Sequence, residues 1–201
     1  EKEDRTYAPI NYGSFDVRNL GWKISDCEGI SNTAAGICLE YGVKIGEKDG
    51  VVSFLYQLPY GLDTENPYGL SKEKLDKVIA TGIIEYPGFV NNVTAHLAQS
   101  AVFVLPSYYR EGVPRSTQEA MATGRPIITT DVPGCRDTVL DGVNGFLVPK
   151  WDVNALVDKM CFFIENPEKI NIMGKESYKI ACAQFDADKV NKKLFKIIGI
   201  N

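Results

Sequence analysis

The chain has 201 residues, 44% hydrophobic and 24% charged, with a formal net charge of -4, which fits one good-sized α/β domain and argues against a nucleic-acid surface. Five cysteines, Cys27, Cys38, Cys135, Cys161 and Cys182, form no CxxC pair, so they read as reduced thiols of a cytoplasmic protein and no metal is expected. No apolar run is long enough to cross a bilayer, and no signal peptide is expected.

Residues 1–27 are polar and broken by Pro9, Gly13 and Gly21, so they read as an irregular segment or the remnant of a preceding region, with residues 28–201 as the domain proper. A weak edge-like strand is expected over Asn19–Ser25. Residues 30–42 are expected to be helical, because Ile30, Ala34, Ile37, Cys38 and Tyr41 follow the spacing of one buried face. The apolar run VVSFLYQLP at 51–59 predicts a strand covered on both sides. Ser71 caps an expected helix to about Thr81. IIEYPGF at 83–89 predicts a short strand, and Asn92–Ser100 a helix. His96, the only histidine, sits in that helix pattern and reads as structural; without a GxSxG elbow, a Ser-His-Asp arrangement is a poor reading.

The most informative stretch is LPSYYREGVPRSTQEAMATGRPIITTDVPG, residues 105–134. With VFVL before it, it reads strand, loop, helix, strand: one right-handed βαβ unit. Ligands of such sheets sit beyond the carboxyl ends of the strands, where the loop 106–115 falls. Gly112 allows close approach of a ligand to the main chain, and Pro114 fixes the turn. Ser116 and Glu119 have the spacing of a capping box, and Gly124 ends the helix. The helix N-terminus is suited to a phosphate or diphosphate, with Arg110 and Arg115 adding positive charge. Glu111 and Glu119 would repel phosphate, so a functional role for them requires sugar hydroxyls as partners; a closed capping box and a solvated loop charge are the plain alternatives. Asp131 ends the next strand, as a turn starter or a pocket residue. DGVNGFLVPK follows as a turn and strand. Helices are expected over 152–165, from Pro167 to about Ala183, and in the amphipathic end FDADKVNKKLFKIIG.

EGVPRSTQE has seven residues between its glutamates, and it resembles the E-x7-E motif of retaining glycosyltransferases with the two-domain GT-B fold. Together with GIIEYPGFV, EAMATGRPIITTDVPGCRD and DGVNGFLVP, it resembles family 4 of these enzymes, of the capsule, O-antigen and lipid-linked oligosaccharide type. The resemblance implies a Rossmann-like α/β domain: a mostly parallel sheet with helices on both faces, one half of a GT-B fold. It implies Glu111 beside the donor sugar as the catalytic residue. Gly112, Val113 and Pro114 would face the sugar and diphosphate, Glu119 would hold the ribose hydroxyls, and Gly88–Asn91 would lie near the base. The family's diphosphate-gripping Arg and Lys map onto GWKISDCEG, where Lys23 stands for the arginine and Glu28 falls where the lysine belongs. Arg115 or Arg136 is then a candidate compensating cation. In the resembled family the last helix packs towards the partner domain, so its apolar side is expected to be partly orphaned here.

The implied substrate is a UDP-sugar, with no cofactor and no metal, and a glycan or lipid-linked acceptor bound through a missing N-terminal domain. The full-length protein would then be cytoplasmic or peripheral to the inner membrane. Two alternatives stay open: a non-catalytic nucleotide-sugar module, and a related nucleotide-sugar epimerase. Neither GxGxxG nor GxxxxGK[ST] is present, so dehydrogenase and P-loop readings are poor.

Overall fold

The computed structural model describes residues 36–45, 48–57, 72–80, 93–108 and 112–199. The elements run β1 (Gly36–Ile45), β2 (Lys48–Gln57), α1 (Lys72–Ile79), α2 (Val93–Gln99), β3 (Val102–Leu105), α3 (Arg115–Ala122), β4 (Ile127–Thr130), a 3-10 turn (Arg136–Thr138), β5 (Gly145–Val148), α4 (Val153–Glu165), α5 (Glu168–Gln184) and α6 (Ala187–Ile198). The strands lie in the order β1-β2-β3-β4-β5. β2 to β5 are parallel, and β1 adds an antiparallel edge. This is the expected Rossmann-like sheet.

The sequence predicts a helix over 30–42, and the structure corrects it. Gly36–Ile45 is a strand paired with β2 from Gly36↔Gln57 to Ile45↔Lys48. The competing signal is in the same residues: Ile37, Leu39, Tyr41, Val43 and Ile45 alternate with period 2, and a close turn to a second apolar run makes a hairpin. The expected elements at Asn19–Ser25 and 83–89, and the boundary near residue 27, lie outside the described residues.

Two apolar layers sandwich the sheet. Val52, Phe54, Val102, Val104, Ile128, Phe146 and Val148 face Leu75 of α1 and Met160 and Phe163 of α4. The alternate side chains Leu55, Phe103, Leu105 and Ile127 face Leu97 of α2, Ala120 and Met121 of α3, and Ala181 of α5. The period of two thus sends successive residues of each buried strand into opposite cores, as a parallel sheet requires. The apolar face of α4 packs into the core through Met160 and Phe163. α6 differs: none of its residues is buried, and Leu194 and Ile197 are 48% and 73% exposed.

Three contacts fix the frame around α3. Arg125 is 2% exposed; its guanidinium donates to the Thr123 carbonyl at 3.0 Å and the Ser100 carbonyl at 2.9 Å. It ties the exit of α3 to the entry of β3. Gly174 lets α5 lie directly on the end of α3, since a Cβ there would stand 2.2 Å from the Gly124 carbonyl oxygen. Asn144, fully buried, donates to the Thr138 carbonyl at 3.0 Å and accepts from the Leu140 amide at 2.7 Å, while Ser177 of α5 donates to its backbone carbonyl at 3.1 Å.

Candidate functional site

The site begins with the start of α3. Pro114 occupies the N-cap with φ -62° and ψ 130°, and no side chain caps the helix. Proline's fixed φ prepares the first turn, so the helix starts at Arg115, and Ser116 is buried inside it rather than capping it. The predicted capping box is therefore absent. The first helical bond is the Gln118 amide to the Pro114 carbonyl at 3.2 Å; the amides of Arg115, Ser116 and Thr117 precede it and have no intrahelical acceptor. The Gln118 side chain donates to the Val113 carbonyl at 3.2 Å, which holds the approach loop against the helix. The resulting N-terminus points its dipole and donors outward from the carboxyl end of β3.

Gly112 is exposed, and a Cβ built on it would meet nothing within 4 Å. It is not among the glycines of positive φ, so the fold itself does not demand glycine there. The open space above it is the relevant property.

Glu119 has no capping role and is turned to a groove of about 360 Å³. Arg115, Gln118 and Ala122 of α3 form one wall; Cys182, Phe185 and Asp186, at the end of α5, form the other. The close approach at Gly174 is what brings that second wall within reach. Burial pushes the Glu119 carboxyl above its ordinary value, and the Arg115 charge opposes the rise. Glu119 remains exposed on its outer side, and a carboxylate on the wall of an open groove next to a guanidinium is suited to accept hydrogen bonds from neutral hydroxyls. Cys182, Phe185 and Asp186 carry no local sign of a site in the sequence; only the α3–α5 packing assigns them to it.

A second hollow, of about 450 Å³, opens beyond the ends of β3, β4 and β5. Asp131 and Arg136 meet there, Arg136 Nε lying 2.9 Å from Asp131 Oδ1. The two hollows share no lining residue, so Arg136 is placed with Asp131 and apart from the groove of Arg115. His96 lines neither hollow. Lys23, Glu28, Arg110, Glu111 and the segment Gly88–Asn91 lie outside the described residues.

The family model described as Glycosyl transferases group 1 matches residues 63–166, just over half of the chain. The chain belongs to this family. Among relatives of the group 1 transferases, it is 30% identical over 138 residues to the capsular polysaccharide biosynthesis glycosyltransferase CapM of Staphylococcus aureus, covering 66% of this chain and 34% of that protein. It is 28% identical over 133 residues to the N,N'-diacetylbacillosaminyl-diphospho-undecaprenol alpha-1,3-N-acetylgalactosaminyltransferase of Campylobacter jejuni, again covering 66% and 34%. The chain thus spans about a third of the length of these curated relatives. Among solved structures, Anabaena Alr3699/HepE in complex with UDP superposes with a TM-score of 0.60 at 22% identity, covering 63% of this chain and 35% of that one. That likeness establishes the fold, one half of a GT-B glycosyltransferase. Among the described residues, no helix is long and apolar enough to cross a membrane.

Proposed function

We propose that this chain is the donor-binding domain of a retaining glycosyltransferase that moves a sugar from a UDP-sugar to an acceptor hydroxyl in the synthesis of surface polysaccharide or lipid-linked glycan. The observation that carries the proposal is the arrangement of α3. Three amides without an intrahelical acceptor stand at its start, and Glu119, relieved of capping, stands beside Arg115 one turn further on. The first group suits a diphosphate and the second suits ribose hydroxyls. The relatives named for polysaccharide and undecaprenol-linked sugar transfer support the same reading.

In this mechanism the bond between the anomeric carbon and the diphosphate oxygen breaks, the acceptor hydroxyl oxygen bonds to that carbon and gives up its proton to the leaving diphosphate, and negative charge grows on that diphosphate as it departs. The amides of Arg115, Ser116 and Thr117, together with Arg115, Arg110 and Lys23, stabilise that charge as it develops. Gly112 and Val113 let the diphosphate and sugar approach the main chain. Glu111 orients the sugar and stabilises its electron-poor anomeric carbon. The acceptor arrives through the part of the protein that makes up the rest of the relatives' length. No metal is required by this scheme, because the helix terminus supplies the positive potential.

Calorimetric titration of the 201-residue chain with UDP, then with UDP-sugars, tests the proposal. Saturable UDP binding that Glu119→Ala weakens roughly 10- to 100-fold supports it. Equal UDP affinity in the two proteins refutes the assignment of the ribose to Glu119.

A further inference from the structure

The pairing of β3 with β4 runs through Phe103↔Ile127 and Val104↔Ile128 and ends at Leu105↔Thr129. The next residue is Pro106, which has no N–H and cannot extend the ladder. Two hydroxyls of β4 hold the chain at this point. Thr129 Oγ1 donates to the Leu105 carbonyl at 2.7 Å, inside the paired register. Thr130 Oγ1 donates to the Ser107 carbonyl, two residues past the register's end. Thr130 and Ser107 are each 2% exposed, so the bond is made away from solvent. Thr130 is itself well fixed: it is paired with Val148 of β5, and its carbonyl accepts the Val132 amide at 2.9 Å.

Strand packing does not account for a hydroxyl at 130. Valine has the same branched shape and an equal liking for a buried strand, and the two preceding residues of β4, Ile127 and Ile128, are apolar. The hydroxyl answers a need of Ser107, whose buried carbonyl requires a donor that the interrupted ladder does not supply. Ser107 opens the segment that leads to Gly112, Val113 and the start of α3. The far end of that segment is held in the same manner, by the Gln118 side chain on the Val113 carbonyl at 3.2 Å. A side chain from outside the segment thus grips a carbonyl at each end, Thr130 at the entry and Gln118 at the exit.

We propose that Thr130 is a positioning residue of the donor site. Its hydroxyl fixes where the chain leaves β3, and so where Gly112 and Val113 meet the sugar and diphosphate. It acts through Ser107 and lines neither the Glu119 groove nor the hollow beyond β3, β4 and β5. The inference rests on the donor-binding reading, in which misplacement by about 1 Å is costly. Thr129 supplies the contrast: it satisfies a carbonyl within the ladder, where the sheet already holds the backbone.

The test compares Thr130→Val, Thr130→Ser and Thr129→Val in the 201-residue chain. Hydrogen exchange at the amides of Tyr108, Gly112 and Val113 reads the segment without any ligand. Thr130→Val should speed that exchange about tenfold, the equivalent of one lost hydrogen bond, and Thr129→Val should not, although both lower the melting temperature. Calorimetry with UDP-sugars should show affinity reduced about tenfold in Thr130→Val, restored in Thr130→Ser, and kept in Thr129→Val. Where Thr130→Val does not fold, Thr130→Ala takes its place, since it leaves room for water at the Ser107 carbonyl. Unchanged exchange in Thr130→Val, equal loss of affinity in Thr130→Ser, or an equal loss in Thr129→Val would each overturn the proposal. A parent chain that binds no UDP-sugar overturns the donor reading instead, and the exchange result then still decides whether Thr130 holds the segment.

Discussion

Glu119→Ala separates two explanations of the same carboxylate. If Glu119 closed a capping box, losing it would cost helix stability, about 0.5–2 kcal/mol for a lost cap. The structure has no such bond: Pro114 is the N-cap and no side chain caps the helix. Burial raises the Glu119 pKa more than Arg115 lowers it, so the ionised form is disfavoured in the folded state. A raised carboxyl pKa means that the folded chain holds its proton more tightly than the unfolded chain. This group therefore adds stability as pH falls through the folded pKa, reaching its full value below the ordinary 4.5, and opposes folding mildly at neutral pH. The neutral Ala variant should melt at or slightly above the parent at pH 7, with the difference shrinking as the solution is acidified. Nucleotide binding should move the other way. Two ribose hydroxyls bonded to one partly solvated carboxylate contribute about 1.5–3 kcal/mol together, given that bonds to charged groups contribute about that much each when well buried. That corresponds to roughly 10- to 100-fold in UDP affinity. Scanning calorimetry from pH 4 to pH 8 and UDP titration at pH 7 give both numbers. A variant that melts lower at pH 7 yet binds UDP as the parent does would refute the reasoning.

Other expectations follow from single contacts. Gly112→Ala should leave the melting temperature unchanged, because an added Cβ meets nothing within 4 Å and φ is not positive, yet weaken UDP-sugar binding several-fold if the ligand crosses that space. A matched loss of both would mean that the loop, not the ligand, needs the glycine. Arg125→Ala should destabilise by roughly 2–4 kcal/mol, since it strands buried carbonyls and opens a cavity, as measured by urea unfolding. A change under about 0.5 kcal/mol, the range of ordinary surface substitutions, would show those bonds to be dispensable. Gly174→Ala places a Cβ 2.2 Å from the Gly124 carbonyl; a loss of about 1–3 kcal/mol is expected from the forced separation of α5 from α3. It should also weaken UDP binding, because Cys182 and Phe185 move with α5. Unaltered UDP affinity in a folded Gly174→Ala would detach the α5 wall from the site.

The parallel sheet was legible because its strands are buried on both faces. VFVL and PIITT are short continuous apolar runs bounded by turn residues, and each became a strand within a residue or two of its expected bounds. The helices after β5 were legible for a complementary reason: Met160 and Phe163 recur at helical spacing and are buried together. GICLEYGVKI was not legible from local spacing. Its apolar residues satisfy a helical template and an alternating one, and only pairing with β2, a contact outside the window, decides between them. The capping box failed differently. Ser116 and Glu119 have the right spacing, but Pro114 two residues earlier already fixes the helical start, and the stronger backbone constraint prevails over the weaker side-chain one.

The family motif points to α3 because that helix is a contiguous stretch of sequence. The opposite wall of the groove is not contiguous with it: Phe185 lies 66 residues beyond Glu119 in the chain. What joins the walls is a steric permission at a distance, the missing side chain at Gly174, which lets α5 settle on the Gly124 carbonyl. Seven residues on from Gly174, two helical turns later on the same face, stands Ala181, small and buried against the α3 side of the core. Larger residues at either position would hold the helices apart and take away the second wall of the groove beside Glu119, which is already exposed on its outer side. The second wall of that groove, from Ala181 to Asp186, stands where it does because α5 packs closely on the end of α3. A motif search reads the carboxylate, whereas the environment that makes it useful is set by the residues that are smallest.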